Sequence, residues 1–382
     1  MISVEILLIF IVVFGVVVGF VYNLSLYKES RGFDYSDRWR VQLSSNSDAL
    51  NQANPQLLDH FYRGLQAMPE VEGVSFIQSA PYSDSGYMGG FRAMDSTRMI
   101  NTYFLQADDA AQKILNIPMI AGRWFSEQDE VASETPVIIN RKMAQSMFGQ
   151  EDPLGKRLTN ASLDEKEVRV YKVVGVIENY RHRGEFMSRE ELVILRYSAY
   201  KEEPLRQMVI KVKAGTPRNF EIKLLQQLRS VHSDLEYDIA LLSEGRDEMF
   251  RQKGLFFAPP LAIAAFLMLM VGFGLFGVLG LNVSKRIPEI GLRRAIGATR
   301  LEIYGQIIAE QVLLSSLAMV VGLLFLIQLP LTGVMAKFMD WQSFFVSVGI
   351  SMLIVYVVSL LCSLYPAWRA SQLDPSEALR YE

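Results

Sequence analysis

SKRIPEIGLRRAIGAT, at positions 284–299, lies between two long runs without Asp, Glu, Lys or Arg, 254–283 and 311–336. Each run exceeds the roughly 20 apolar residues that carry a helix across a bilayer. The cations Lys285, Arg286, Arg293, Arg294 and Arg300 therefore fall in a short loop between two spans. Positive charge in short loops stays on the cytoplasmic side, so this loop is expected inside the cell. Whatever binds it can pull on two membrane helices at once.

Two further uncharged runs, 6–27 and 341–368, bring the expected spans to four and leave one polar block, 28–253. The layout read from these runs is a span at 1–27, an extracytoplasmic domain at 28–253, a span at 254–284, and a cytoplasmic coupling segment at 285–300. A third span at 301–332, a short outer loop at 333–342, a fourth span at 343–367 and a cytoplasmic tail at 368–382 complete it. Passing back through one span from the basic loop puts the 28–253 block outside, and passing forward through two puts Arg369 and Arg380 inside. Both termini are then cytoplasmic, in the inner (plasma) membrane. The first run has no Lys or Arg before it and no small-residue cleavage site after it, so it reads as a retained anchor rather than a signal peptide.

Local punctuation refines the basic loop. Pro288 suits the first turn of a helix, Gly297 suits its C-terminal cap, and Arg293 and Arg294 fall in the last turn, where the dipole favours cations. About nine residues of helix are expected. Thr299 followed by Glu302 makes a capping box that opens the third span, so a tight elbow should separate two rods. Pro259 and Pro260 predict a joint where a helix starting near Ser243 enters the membrane. Glu310 lies early in the third span and reads as an interfacial acid, with an intramembrane functional role as the alternative.

The polar block reads as α+β. Asn54 and Pro55 open an amphipathic helix carrying Leu57, Leu58, Phe61, Tyr62 and Leu65, and a second helix runs over 217–231. Strands are expected at 71–79, 137–140, 168–177, 208–212 and 237–242. Residues 81–91 read as a mobile loop, a solvated connector more than a binding loop.

Other chemistries are poorly represented. A net charge of −3 with scattered basic residues gives no nucleic-acid footprint. The single cysteine, Cys362, lies in an apolar run, so the polar block holds itself together without disulfides. The three histidines, His60, His182 and His232, lack a second ligand at metal spacing. No phosphate-binding loop or nucleophile elbow occurs. Gly272, Gly274 and Gly277 match a dinucleotide-binding pattern literally, but inside an uncharged run with no preceding strand. Together with Gly280 they are better read as small residues that admit a neighbouring helix.

RIPEIGLRRAIGA at 286–298 and LYPAWRASQLDPSEAL at 364–379 resemble the permease signatures of FtsX/MacB-like ABC transporters. The polar block adds IPMIAGRWFSEQD at 117–129, VIIN at 137–140, Phe148 and Gly149, DPLGK at 152–156 and VVGV at 173–176, in the order of that family's periplasmic core domain. The resemblance implies a four-helix permease with an inserted α+β domain that dimerises with a second copy or a paralogue. A separate ATPase subunit, which binds the ATP and Mg, would dock on Arg286, Glu289, Gly291, Arg293, Arg294 and Gly297. A second capped cytoplasmic helix is expected at 374–377. The chain itself would hold no cofactor or metal and would not be an enzyme. Its motion would serve mechanotransmission, for export or extraction of a drug, peptide or lipoprotein; membrane lipid, a periplasmic adaptor and an outer-membrane channel are the further partners implied. Regulation of an extracytoplasmic cell-wall hydrolase is the alternative within the family, and an anchored sensor or binding module without an ATPase is the alternative outside it.

Overall fold

A computed structural model describes residues 2–44, 55–83, 86–160, 169–198, 205–336 and 338–372. Two compact units emerge, one of Leu26–Gln252 and one of Met1–Ser25 with Lys253–Glu382. The first is called the head below.

In chain order the head follows α1 (Ile2–Lys28) with β1 (Arg38–Ser44), α2 (Pro55–Gln66) and β2 (Val71–Phe76). Next come β3 (Tyr87–Ala93), β4 (Ile100–Ala107), α3 (Ala111–Leu115), β5 (Met119–Gly122), β6 (Thr135–Asn140) and α4 (Arg141–Phe148). It closes with β7 (Arg157–Asn160), β8 (Val170–Ile177), β9 (Leu192–Arg196), β10 (Gln207–Val212), α5 (Phe220–Val231) and β11 (Glu236–Leu241).

One sheet has the order β11-β1-β10-β2, antiparallel throughout. With α2 after β1 and α5 after β10, this is the split β-α-β arrangement. Alternation in β1 buries Trp39, Val41 and Leu43, and the 3–4 spacing of Phe61 with Leu65 and of Phe220, Leu224 and Leu228 lays both helices on that face. The Trp39 and Phe220 rings meet edge to face at 6.0 Å.

The second sheet, inserted between β2 and β10, has the order β5-β8-β6-β9-β4-β3-β7, and β7 pairs again with β8. Six of its strands therefore close into a ring, with β5 attached outside it to the later part of β8. Val137 and Ile139 of β6 point to the same core as Val193 and Leu195 of β9, while Ile138 and Ile194 join a second core on the other face. The period of two thus serves two cores at once. Asn140 caps α4 by accepting from the Met143 N–H at 2.9 Å, which brings Met143 into the first of these cores.

One expectation fails here. Within the supposed loop 81–91, the stretch from Tyr87 onward is β3, paired with β4 and β7. Gly89 makes this possible, because a Cβ there would lie 3.1 Å from the Phe104 ring that crosses it. Pro259 and Pro260 lie inside α6, which continues through them over Leu242–Lys285. Prolines remove two donors but do not end this helix, as is common in membrane spans. The expected cap at Asn54 and the helix at 374–377 fall outside the described residues.

The other unit consists of most of α1 and α6, then α7 (Ile287–Ala295), α8 (Arg300–Leu326), the short α9 (Gln328–Thr332) and α10 (Trp341–Ser371). Among the described residues, four helices are long and apolar enough to cross a membrane. On α10, Ser347, Ser351, Val355, Ser359, Ser363 and Ala367 recur every fourth position and are all buried. Small residues at this spacing let helix backbones approach closely. The neighbour is α8, where Ser315 donates to Ser359 at 3.2 Å and the hydroxyls of Ser316 and Tyr356 are 2.7 Å apart. α1 packs through bulk instead: Phe10 seats on Gly322, where a Cβ would come within 2.7 Å of the ring.

Candidate functional site

The elbow between α6 and α8 follows its sequence signals closely. α7 has nine residues, with Pro288 in its first turn. At its end the Gly297 N–H bonds the Arg294 carbonyl at 3.2 Å and the Ala298 N–H bonds the Arg293 carbonyl at 3.0 Å. This is the Schellman pattern, and it requires the left-handed backbone that Gly297 supplies at φ +109°. Two residues on, Thr299 Oγ1 accepts from the Glu302 N–H and the Glu302 carboxylate accepts from the Thr299 N–H at 2.7 Å, the reciprocal box that starts α8. Helix, stop and helix follow one another with only a short connection between them.

Ile290 and Gly291 form the buried face of α7, and Ile290 packs with Ile303 of α8 and Ala370 of α10. Beside that contact runs a chain of polar bonds. Arg286 pairs with Glu310 at 2.7 Å, Glu310 accepts from Gln306 at 3.0 Å, Gln306 accepts from Arg293, and Arg293 pairs with Glu289 at 2.7 Å. The chain borders a cavity of about 210 Å³ that Gln311 also lines. The Gln311 side chain is buried, and its carbonyl oxygen has no partner.

Of the residues singled out from sequence, Arg286, Glu289 and Arg293 are thus brought together, Gly291 is buried beneath them, and Gly297 forms the bend. Arg294 reaches only the Ala298 carbonyl, at 3.4 Å. The glycines of α6 divide. A Cβ on Gly272 would meet Cys362 Sγ at 3.4 Å and one on Gly274 would meet the Glu5 carboxylate at 3.1 Å, whereas Gly277 and Gly280 face nothing within 4 Å. Gln306 and Gln311 were not legible in the sequence, since only the fold of the elbow brings them to α7.

A second polar cluster, at the root of the head, gave no sequence signal. Arg181 is fully buried. Its guanidinium donates to the carbonyls of Leu26 at 2.9 Å, Glu29 at 2.6 Å, Ser30 at 3.2 Å, Glu185 at 3.0 Å and Met187 at 3.1 Å. Leu26 lies in the last turn of α1, where carbonyls lack helical partners and a cation is favoured. Glu185 Oε1 in turn receives Arg31 at 3.0 Å and Arg246, from the start of α6, at 2.6 Å. Burial acts to raise the Glu185 carboxyl, but the bonds from Arg246 and Arg31 outweigh it and hold it below the usual range. Residues 178–191, between β8 and β9, therefore grip both the chain leaving α1 and the chain entering α6.

No group of three metal-ligating side chains occurs among the described residues. The buried carboxyl of Asp108 is pushed up to about 6 by desolvation, and burial lowers the His182 imidazole to about 4, helped by Arg183. Both lie in the head.

Residues 6–219 match the MacB-like periplasmic core domain, and residues 261–375 match the FtsX-like permease C-terminal domain. The chain belongs to the MacB/FtsX-like ABC transporter permease family. It is 30% identical over 294 residues to the macrolide export ATP-binding/permease protein MacB of Nitrobacter winogradskyi, covering 73% of this chain and 44% of that one. It is 26% identical over 333 residues to the pyoverdine export ATP-binding/permease protein PvdT of Pseudomonas entomophila, covering 83% and 46%. The uncharacterized ABC transporter permease YknZ of Bacillus subtilis is 26% identical over 283 residues, covering 72% and 69%. The chain thus spans about half the length of the MacB and PvdT relatives. The periplasmic region of MacB from Actinobacillus actinomycetemcomitans aligns at TM-score 0.42 and 13% identity over 59% of this chain and 97% of that one. As a MacB/FtsX-like permease, the chain is a membrane protein whose head is an extracytoplasmic domain.

Proposed function

We propose that this permease converts ATP hydrolysis on a separate ATP-binding subunit into movement of its extracytoplasmic head, with the subunit docking at the elbow on the cytoplasmic side. ATP and Mg are bound by that subunit, and this chain contributes no ATPase site. The observation that carries the reading is the elbow itself: a nine-residue helix, stopped by Gly297 and followed at once by a capped long helix, is built to pass on a push. A plain topology-setting loop needs charge but no such geometry.

The cargo class is a drug, peptide or lipoprotein handled outside the membrane. Two relatives carry the names of macrolide and pyoverdine export proteins, which supports export over the regulatory role. The spans support mechanotransmission, because their buried hydroxyls pair helix to helix instead of lining a polar route. A second copy or a paralogue packs on α6, the least buried of the long helices, where a Cβ added to Gly277 or Gly280 would meet nothing within 4 Å among the described residues.

Co-purification of the full chain with an ATP-binding subunit tests the reading. Wild type retains the subunit, and Gly297→Pro releases it while the head keeps its thermal transition. Proline cannot adopt φ +109° and lacks the N–H bonded to Arg294, so only the elbow is broken. Retention of the subunit by Gly297→Pro would refute docking at the elbow.

A further inference from the structure

We infer that the elbow divides its work: an apolar edge of Leu292 and Ile296 receives the ATP-binding partner, while the chain of Arg286, Glu289, Arg293, Gln306 and Glu310 is an internal latch that positions α7 on α8 without touching that partner. This rests on the docking proposed above, assigns its chemistry, and takes Arg286, Glu289 and Arg293 out of the contact set that the family resemblance implies.

The exposed apolar side chains point to the first half of the division. Leu292 is 57% exposed and Ile296 79%, on a segment otherwise rich in charge. Two large apolar groups four residues apart, at the end of α7 in a loop between two spans, make a patch that water disfavours and a partner cleft would cover. Lys285 and Arg300 flank the segment, and neither has an ion pair among the described residues. The complementary surface is therefore an apolar cleft with an acidic rim.

The second half follows from what the other arginines already hold. Arg286 and Arg293 each pair with a carboxylate of this chain, and Arg293 also donates to Gln306, so both guanidiniums are oriented by bonds within the elbow. The latch ties both ends of α7 to α8 at Gln306 and Glu310, one turn apart, and so fixes the angle between the two helices. Beside it lie the 210 Å³ cavity and the unpartnered Gln311 oxygen, which give the latch room and an alternative acceptor for rearrangement without unpacking Ile290 from Ile303. Exposed ion pairs are worth little individually, which suits a latch that opens and closes. Arg293 and Glu310 are accordingly positioning residues.

The test uses the full chain in lipid nanodiscs with the ATP-binding subunit that wild type retains. Leu292→Asp with Ile296→Asp should weaken retention by about tenfold or more, as for the central anchors of an interface. Arg293→Gln and the near-isosteric Glu310→Gln should leave retention within about twofold of wild type, as exposed pairs do, yet abolish the permease's effect on the subunit's ATP hydrolysis rate. Exchanging the charges, Arg286→Glu with Glu310→Arg, should restore that effect, which a merely structural loss would not allow. If both latch variants, monodisperse on size exclusion, lose the subunit, or if the double aspartate variant keeps it, the division of work is wrong. Wild type that retains no subunit would instead remove the docking reading beneath it.

Discussion

At the elbow, Arg286 and Arg293 reach carboxylates across half-exposed surface, whereas at the root of the head Arg181 is fully buried and directs its donors to five backbone carbonyls. Both joints organise the chain around arginine. Solvent separates their energetics. An exposed pair gains little over its hydrated parts, so it forms and breaks readily, while a buried guanidinium stripped of its acceptors would leave both itself and the carbonyls unsatisfied. The bonds of the first are cheap to exchange and those of the second costly to break.

The largest effect should come from breaking the buried joint. Arg181→Met leaves the carbonyls of Glu29 and Ser30 without their donor and takes one of two from that of Leu26, and we expect a loss of about 3–5 kcal/mol, the range for breaking a buried charged network. Thermal unfolding of the full chain in detergent measures it; a shift no greater than that of Glu310→Gln would erase the contrast.

Acidification sharpens the same contrast through His182, the neighbour of Arg181. Its folded value of about 4 lies below the ordinary 6.5, so the stability it contributes is present near neutrality and lost as pH falls from about 6.5 to 4. Asp108, raised from 3.8 to about 6, acts in the opposite direction, since its protonated form is favoured in the folded head and stability is gained as pH falls through that window. In wild type the two offset each other. Relative to wild type, His182→Phe should therefore gain about 1–2 kcal/mol of head stability between pH 7 and pH 5, because each tenfold rise in proton activity is worth about 1.4 kcal/mol to a group that titrates in only one of the two states. Unfolding followed at both pH values measures it, and a difference from wild type that stays constant with pH would show that His182 does not carry the penalty. The smallest effect belongs to the elbow, where Glu310→Gln should cost at most about 1 kcal/mol of stability despite its predicted effect on coupling.

The same contrast explains what could be read from the sequence. Everything that shapes the elbow lies within a few residues of what it shapes: Pro288, Gly297, and Thr299 with Glu302 fix helix ends through local dihedral and capping rules, and the nine-residue helix follows. The root of the head depends on Arg181 meeting carbonyls more than 150 positions earlier, and no local pattern announces such a meeting. Strands rich in β-branched residues, such as β6 and β8, were visible, while β3 was hidden by Gly89 and Gly90, whose lack of side chains mimics a loop and, at Gly89, admits Phe104.

The closed ring of strands has a mechanical corollary. Residues 178–191 hang between β8 and β9, which flank β6 on either side, parallel on one edge and antiparallel on the other. A load on that loop is shared between two staves and strains their ladders along the strand direction, where many hydrogen bonds resist together. Peeling, which would break them singly, has no free edge from which to begin at β7, because β7 is itself bonded to β3 and β8.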